Sequence, residues 1–288
     1  CNINPENVIF LSAETSYNNE HFLKEPRIKF LNQFGQIHTS YETINNSIKS
    51  IPFLPWMINS NHGDSIYAPS QRDINYFSEV RNYEKTKKIS VICSNKDFTN
   101  GHNKRLQFVY ALKEHFGDSL DWFGNGINPL KEKWDGIAPY EYHISLENKH
   151  KDFVVSEKLF DSFLGFSFPF YYGAPNVSDF FPKESFENID IEDVDKSIEI
   201  IELAINNNYY EKNIAFIEES KNLVIRDYNL FYRLAVIAKS MPQENNTSFK
   251  QYKIINLKIF ENSYQTKQAY LKKMYNIPVG FSDHTTDL

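Results

Sequence analysis

The sequence predicts an α/β protein built on a doubly wound parallel sheet. From about residue 89 onward, short apolar runs typical of buried strands alternate with segments that have helical spacing. The strands are predicted at residues 89–94, 120–124, 142–146 and 168–172, and the helices at 103–116, 157–165 and 194–206. Because strands and helices alternate, each helix is expected to carry the chain between parallel strands.

The individual elements follow from local patterns. Residues 89–94 form an apolar run, and the next segment repeats apolar residues at Leu106, Val109 and Leu112, which is the spacing of one helix face. Residues 120–124 end in a glycine turn and complete a β-α-β unit. The later strands and helices continue the same alternation.

The chain is predicted to contain two lobes and a tail. A short buried strand at residues 7–12 opens a first lobe that we expect to be incomplete, because the elements that usually precede such a strand are missing. The run at 50–57 carries two prolines, which favour an edge strand or an extended segment. We assign residues 1–85 to an N-terminal acceptor-side lobe, 86–240 to a C-terminal donor-binding lobe, and 241–288 to a polar tail of unassigned role.

Composition excludes several classes of protein. The chain has 288 residues, of which 41% are hydrophobic and 16% aromatic, so it is not a disordered chain. Its net charge of −6 argues against a general nucleic-acid binder, which needs a basic surface. Cys1 and Cys93 are too few for a disulfide framework or a zinc cage and favour a reducing compartment. With no apolar run of about 20 residues, we expect a cytoplasmic protein, with peripheral contact to the inner face of a membrane left open.

The most informative stretch is residues 147–159 followed by 168–173. Its pattern is that of a buried strand, a polar loop, a helix that starts on Ser156-Glu157-Lys158, and a second buried strand that ends at a glycine. Such a unit places a carboxylate, an ammonium and free backbone N–H groups near one point at the strand ends, where α/β sheets hold anions. The stretch therefore predicts a nucleotide or sugar-nucleotide site.

These motifs occur in an order that resembles a known family. The residues concerned are Arg105-x-x-Phe108, Glu147-Asn148, Ser156-Glu157-Lys158, and the segments 168–175 and 181–186. From about residue 89 to 235, the chain resembles the family 10 glycosyltransferases, the α1,3/α1,4-fucosyltransferases that use GDP-fucose.

The resemblance implies a GT-B architecture, with two Rossmann-like lobes facing a cleft and the donor bound by the C-terminal lobe. It also implies an inverting reaction with no tightly bound cofactor and no required divalent metal. Arg105 matches the arginine on the diphosphate, Asn148 the asparagine beside the nucleoside, and Glu157 and Lys158 the pair that holds the ribose or sugar and the phosphate. Ser156 is placed to cap the helix that presents them. A diphosphate leaving group gains charge in the transition state, so positive side chains are expected around it.

Simpler interpretations of these residues remain. Arg105 taken alone fits a solvated arginine on a helix surface, and Glu157 fits a carboxylate that compensates the helix dipole. The sequence also departs from the family, because Val154 stands where a tyrosine is usual and Ser156 replaces a threonine. The donor sugar therefore stays open.

The candidate general base lies in the first lobe. Glu14 directly follows the strand at 7–12, and the segment resembles the family's strand–Gly–Glu–Asn sequence, whose glutamate is the proposed base. Inverting transfer needs a carboxylate that takes the proton of the attacking hydroxyl. The alternative for Glu14 is a loop glutamate in solvent.

Metal sites are not predicted. Residues 190–195 contain Asp-x-Asp, the metal signature of GT-A transferases, but here they precede an amphipathic helix and are expected to form its solvated first turn. The eight histidines show no zinc-binding spacing, and His143 is expected to be a core or cleft residue.

The C-terminal residues 275–285 resemble a segment of sialic acid and related nonulosonate synthases. About 20 residues are too few for such an enzyme, which is a TIM barrel of roughly 250 residues, so an intact synthase is excluded. A gene-fusion remnant, a truncated domain and chance similarity stay open, and Asp283 and His284 are given no catalytic role.

The leading functional hypothesis is an inverting transferase that moves fucose from GDP-fucose to a hydroxyl of a GlcNAc- or glucose-type oligosaccharide of a surface glycan. The alternatives are a transferase for another GDP-sugar and a non-catalytic nucleotide- or carbohydrate-binding module. The expected partners are a GDP-sugar and an oligosaccharide acceptor, without nucleic acid, and the oligomeric state is not predicted.

Overall fold

The computed structural model describes residues 5–13, 25–41, 44, 46–59, 72–79, 83–97 and 99–241. The chain divides into two compact units. The larger unit is Phe53–Ala238, and the other includes the described residues up to Pro52 and those from Lys239 onward.

The smaller unit contains a parallel three-stranded sheet in the order β1-β2-β3, with β1 at Ile9–Leu11, β2 at Gln36–Thr39 and β3 at Ile48–Lys49. Helix α1 (Glu25–Leu31) connects β1 to β2. Three aromatic rings pack beside β1, with centroid distances of 6.2 Å for Phe10–Phe30, 5.4 Å for Phe10–Phe34 and 5.3 Å for Phe30–Phe34. The predicted strand at 7–12 is therefore present, shortened to three residues.

The larger unit contains a parallel five-stranded sheet in the order β5-β4-β6-β7-β8. Its strands are β4 (Lys87–Ile92), β5 (Leu120–Phe123), β6 (Tyr140–Leu146), β7 (Phe168–Tyr172) and β8 (Glu187–Asn188). In the central register, Ser90 of β4 pairs with His143 of β6, and His143 pairs with Pro169 of β7. The four predicted strands are confirmed.

Helices α2 to α7 lie in this unit, and α8 begins in it and ends two residues past Ala238. Their bounds are Ile74–Glu79, Asn100–Phe116, Glu157–Leu164, Val194–Asn206, Tyr209–Lys212, Ile214–Arg226 and Leu230–Ser240.

Helices cover both faces of this sheet. Tyr142 of β6 reaches α5, since its hydroxyl donates to the Ala204 carbonyl at 3.3 Å, whereas Ser145 bonds Ser162 of α4 at 2.7 Å. Residues three apart on a strand point to opposite faces, so α4 and α5 lie on opposite sides. Helix α3 packs with α5, and α7 packs with α4. The predicted doubly wound arrangement is confirmed.

Helix α3 begins at Asn100, three residues before the predicted start. Thr99 explains the difference, because it is an extended N-cap whose side-chain oxygen accepts a hydrogen bond from the His102 N–H at 3.2 Å. One face of the helix is buried, and its buried residues are Arg105, Phe108, Val109 and Leu112. It stops at Gly117, whose φ of 52° is strained for residues with a Cβ.

Residues 53–59 and 72–79 belong to the larger unit. An aromatic cluster joins them to it: the Phe77 ring lies 5.9 Å from Trp56 and 6.2 Å from Trp134, and Tyr83 lies 4.8 Å from Trp134. This compact unit therefore starts at Phe53, before the expected lobe boundary at residue 85. The functional boundaries at 85 and 240 stay predictions.

The predicted α/β fold class is confirmed, with a parallel sheet in each of two units. The facing of two lobes across a cleft stays a prediction. Within the described ranges, every helix is too short or too polar to cross a bilayer.

Candidate functional site

A cavity of about 240 Å³ opens at the carboxyl ends of β4 and β6. From β4 the chain moves to β5 on one side and then crosses to β6 on the other, so the strand order reverses between these two strands. Open α/β sheets bind ligands at such a switch point. The lining residues come from the strand ends, from the first turns of α3 and α4, and from the segment after β5.

A larger depression, of about 510 Å³, lies where β4, β5 and β6 begin. Most of its charged side chains are already paired: Lys87 bonds Asp121 at 2.9 Å, Lys88 bonds Glu141 at 2.5 Å, and Glu202 bonds His115 at 2.9 Å. Asp121 also accepts the Tyr140 hydroxyl at 2.6 Å. The smaller cavity, which exposes cations, is therefore the better candidate for an anionic ligand.

Glu147 organises the start of α4. This carboxylate follows β6 and is buried, and its Oε1 accepts hydrogen bonds from the Ser156 backbone N–H at 2.8 Å and from the Ser156 hydroxyl at 2.6 Å. Ser156 is the N-cap, and its hydroxyl oxygen accepts the Lys158 N–H at 3.4 Å. The helix end is thereby fixed beside the strand end.

Lys158, at the start of α4, lines the cavity and contributes a positive charge to it. Its ammonium donates to Glu147 Oε2 at 3.2 Å and to Ser156 Oγ at 3.0 Å, lies 3.4 Å from Glu157 Oε1, and its side chain is 28% exposed. Burial by itself lowers the pKa of Lys158, but the Glu147 and Glu157 carboxylates outweigh burial and hold the pKa above its ordinary value. Burial also opposes ionisation of Glu157, and Lys158 and Lys133 reverse this, so its pKa is lowered. Both groups are charged at neutral pH.

Arg105 contributes a second cation from α3. The residue is buried, its Nη1 donates to the Leu146 carbonyl at 3.1 Å, and its Nε is buried without a hydrogen-bond partner among the described residues. Burial lowers the pKa of Arg105, yet a guanidinium stays protonated at any physiological pH. The expectation of a solvated surface arginine is therefore wrong.

Gly101 lets α3 approach the loop after β6. A Cβ at this position would overlap the backbone carbonyl oxygen of Asn148, which is not a group that can move aside cheaply. The glycine therefore allows the first turn of α3, with Arg105 one turn later, to share a cavity with Asn148. Asn148 itself is exposed and lines that cavity.

The structure thus gathers most of the sequence-predicted donor residues. Arg105, Asn148, Glu157 and Lys158 line one cavity, and Ser156 is buried directly behind Lys158. Glu14, the candidate base, lies outside the described residues, as does the synthase-like segment 275–285. Their roles, and the donor-binding roles of the five gathered residues, stay predictions.

Three lining residues were missed by the motif analysis or given no role in it. Lys133, in a short 3-10 helix between β5 and β6, donates to Asp161 Oδ2 at 3.0 Å, and the opposite oxygen Oδ1 accepts the Met57 N–H at 2.8 Å. Burial raises the pKa of Asp161 to about 6, although Lys133 pulls in the other direction. Helical spacing could have found Asp161, since it follows Glu157 by four residues on α4. No sequence signal marks Lys133.

His143 is the third of these residues, and it is a core residue that reaches the cavity wall, as expected. Its Nδ1 lies 2.8 Å from Ser90 Oγ, and Ser90 donates to the Gly136 carbonyl at 2.7 Å. Burial, followed by the nearby Lys133 and Lys85, lowers the pKa of His143 to about 3. The ring is therefore neutral.

The lining of the cavity is net positive. Four permanent cations (Lys96, Arg105, Lys133 and Lys158) face two carboxylates (Glu157 and Asp161). His102 reports the same potential: burial lowers its pKa first, and Arg105, Lys96 and Lys158 lower it further. The arrangement suits a ligand with more than one negative charge.

Acidic residues elsewhere have local structural roles. Asp193 caps α5, with its side chain accepting from the Lys196 N–H at 3.3 Å, so the Asp-x-Asp segment forms a helix start as predicted. Across the described part of the chain, no group of three or more histidine, cysteine or acidic side chains is arranged to hold a metal ion.

Comparison with known proteins gives a consistent result. Residues 82–216 match the family model of glycosyltransferase family 10 (fucosyltransferase), C-terminal part. Over 73 residues the chain is 30% identical to an alpha-(1,3)-fucosyltransferase from Helicobacter pylori, and this stretch covers 25% of the chain but only 15% of that protein. The resemblance predicted from the ordered motifs is confirmed.

Solved structures of alpha1,3-fucosyltransferase are also similar. The complex with GDP has 19% sequence identity and a TM-score of 0.48, covering 72% of this chain and 64% of that chain. The complex with GDP-fucose has 18% identity and a TM-score of 0.49, covering 86% of this chain and 79% of that chain.

Proposed function

We propose that this chain, whose residues 82–216 match the family model of glycosyltransferase family 10 (fucosyltransferase), C-terminal part, binds GDP-fucose and transfers fucose, with inversion, to a hydroxyl of a GlcNAc- or glucose-type glycan. The observation that carries the proposal is the cation-lined cavity at the switch point between β4 and β6. The matching family model and the Helicobacter pylori relative are both described as fucosyltransferases, which supports fucose as the transferred sugar.

The chemistry requires that charge be stabilised on the leaving diphosphate. An acceptor hydroxyl oxygen forms a bond to the anomeric carbon, while the bond from that carbon to the terminal phosphate oxygen breaks and its electron pair leaves with GDP. Attack from the face opposite GDP inverts the configuration. The Arg105 guanidinium and the Lys158 ammonium, held by the Leu146 carbonyl and by Glu147, are fixed before the reaction begins. Preorganised cations of this kind stabilise developing charge without reorganising.

We assign Glu14 the role of general base, from its position shortly after β1. A carboxylate there would accept the proton that the acceptor hydroxyl loses as its oxygen attacks. The assignment rests on the order of residues along the chain and on the family resemblance.

A transfer assay tests the proposal directly. Purified protein is incubated with GDP-fucose and N-acetyllactosamine-type acceptors, and with GDP-mannose as a second donor because Val154 replaces the usual tyrosine. We expect fucosylated product and little mannosyl transfer. Product from GDP-mannose alone would redirect the proposal to another GDP-sugar, and GDP binding without transfer to any acceptor would favour the non-catalytic binding module.

Two substitutions separate binding from catalysis. Glu14→Gln should lower kcat by about 100-fold or more while leaving the Kd for GDP unchanged. Lys158→Met should raise the Kd for GDP by about 10- to 100-fold, the value of a charged hydrogen bond. Lys131→Met is a matched control, since Lys131 is exposed and does not line the cavity. Normal turnover in Glu14→Gln would refute the base assignment.

A further inference from the structure

We propose that Lys133 is an additional diphosphate-binding residue of the cavity and that buried Asp161 positions it. Lys133 lies in the 3-10 helix Lys133–Gly136, between β5 and β6. Arg105 and Lys158 come from other segments of the chain, the helices α3 and α4. The inference rests on the proposed function, because it assigns another contact to the same GDP-sugar site.

The Lys133 ammonium is directed toward the cavity. Its side chain is 17% exposed, whereas the Asp161 side chain is only 1% exposed, so the open side of this ion pair belongs to the lysine. An ammonium has three donors, and Asp161 takes one of them at 3.0 Å. No second acceptor is bonded to Lys133 within the described residues, which leaves donors for a ligand.

Asp161 holds the lysine in place from behind. Its Oδ1 is occupied by the Met57 N–H at 2.8 Å and its Oδ2 by Lys133, so the carboxylate itself is closed to a ligand. Glu157 lies four residues earlier on α4 and also attracts Lys133, as the lowering of the Glu157 pKa by Lys133 shows. The contact with Asp161 thus holds the ammonium beside α4, with the negative charge of Glu157 on the same helix face.

This geometry suits the charge of the ligand. A nucleoside diphosphate carries several negative oxygens, and one ammonium and one guanidinium leave part of that charge unmatched. Lys133 is a third cation that reaches the same cavity with its position already fixed. A purely structural lysine would instead use its donors on protein acceptors, as Lys85 does with the Ala138 and Gly165 carbonyls at 2.7 and 2.8 Å.

Ligand titration with a matched pair of variants tests the contact. Calorimetry measures the Kd of GDP and of guanosine for wild type, Lys133→Met, Lys133→Arg and Lys131→Met. We expect Lys133→Met to weaken GDP binding by about 10- to 100-fold and guanosine binding by less than about twofold. Lys133→Arg should retain most of the affinity for GDP, and Lys131→Met should bind both ligands as wild type does. Equal weakening of GDP and guanosine, or unchanged GDP affinity in Lys133→Met, would overturn the inference.

A double-variant cycle tests the positioning role of Asp161. Asp161→Asn should weaken GDP binding, because Lys133 is then no longer held in position. The double variant Lys133→Met with Asp161→Asn should bind GDP no more weakly than Lys133→Met alone. The double variant also avoids an unpaired buried carboxylate, so it keeps the test valid if Lys133→Met alone folds poorly. Additive losses would refute positioning by Asp161.

The outcomes distinguish this inference from the proposed function. If wild-type protein does not bind GDP, both are wrong. If wild type binds GDP and transfers fucose while Lys133→Met binds GDP normally, only the role of Lys133 is wrong.

Discussion

His143 should make the larger unit sensitive to mild acid. The residue is 4% exposed, its ring is neutral, and burial followed by Lys133 and Lys85 lowers its pKa to about 3 from its ordinary value of 6.5. Because the folded-state pKa is depressed, the unfolded chain binds this proton first as the pH falls. The stability contribution is therefore fully present above about pH 6.5 and is lost as the pH falls toward 3.

The size of the effect follows from the shift. Each pH unit inside the window changes the free energy of unfolding by about 1.4 kcal/mol per proton. Between pH 6.5 and 5 this amounts to about 2 kcal/mol, and over the whole window to about 5 kcal/mol. Other titrating groups act on wild type and variant alike, so the difference between the two proteins isolates His143.

Urea unfolding at pH 7 and pH 5 measures this difference. The signal is tryptophan fluorescence, which reports on the larger unit because Trp56, Trp122 and Trp134 all lie within Phe53–Ala238. The variant is His143→Gln, which removes the titrating group. Wild type should lose about 2 kcal/mol more than the variant between the two pH values. Equal losses in both proteins would refute the argument, because His143 would then titrate alike in the folded and unfolded states.

Two further predictions concern neighbouring residues. The pH dependence of Asp161 has the opposite sign from that of His143, because burial raises its folded-state pKa to about 6 from 3.8. Wild type should therefore lose about 2 kcal/mol of unfolding free energy relative to Asp161→Asn as the pH rises from 4 to 6. The same urea titration measures this, and parallel pH curves for the two proteins would contradict it. Gly101→Ala should lower the free energy of unfolding by about 1–3 kcal/mol and weaken GDP binding, because the new Cβ overlaps the Asn148 carbonyl. Thermal unfolding and calorimetry measure the two effects, and Ala111→Gly, a change of similar size later on α3, controls for helix propensity. Unchanged GDP affinity in Gly101→Ala would contradict the close approach.

The sheet of the larger unit was predictable because its strands are local apolar runs. Residues 142–146 and 168–172 are buried on both sides of the sheet, so their sequences contain few charges and stand out from their surroundings. The start of α3 was less predictable, since the cap at Thr99 lies outside the apolar repeat that marks the helix. The compact unit that starts at Phe53 has no local sequence signal, since ring contacts such as Phe77–Trp134 join residues far apart in the chain.

Part of the site follows from sequence for a related reason. Ser156, Glu157 and Lys158 are neighbours in the chain at a helix start, where the capping pattern itself indicates their geometry. Lys133 and Asp161 are 28 residues apart and belong to segments with no shared local pattern. Their proximity depends on how the segment after β5 packs on α4, which propensity and periodicity do not encode.

Two lysines of the cavity are each backed by a buried carboxylate. Glu147 holds Lys158 and Asp161 holds Lys133, and both carboxylates have side chains that are only 1% exposed. Burying a carboxylate opposes folding, and the raised pKa of Asp161 is the sign of that cost. What the arrangement provides is position: an ammonium fixed by a carboxylate that the ligand cannot reach loses little side-chain entropy when a diphosphate binds. The same desolvated interior lowers the pKa of His143, so the acid sensitivity of the unit and the preorganisation of its cations have one physical cause.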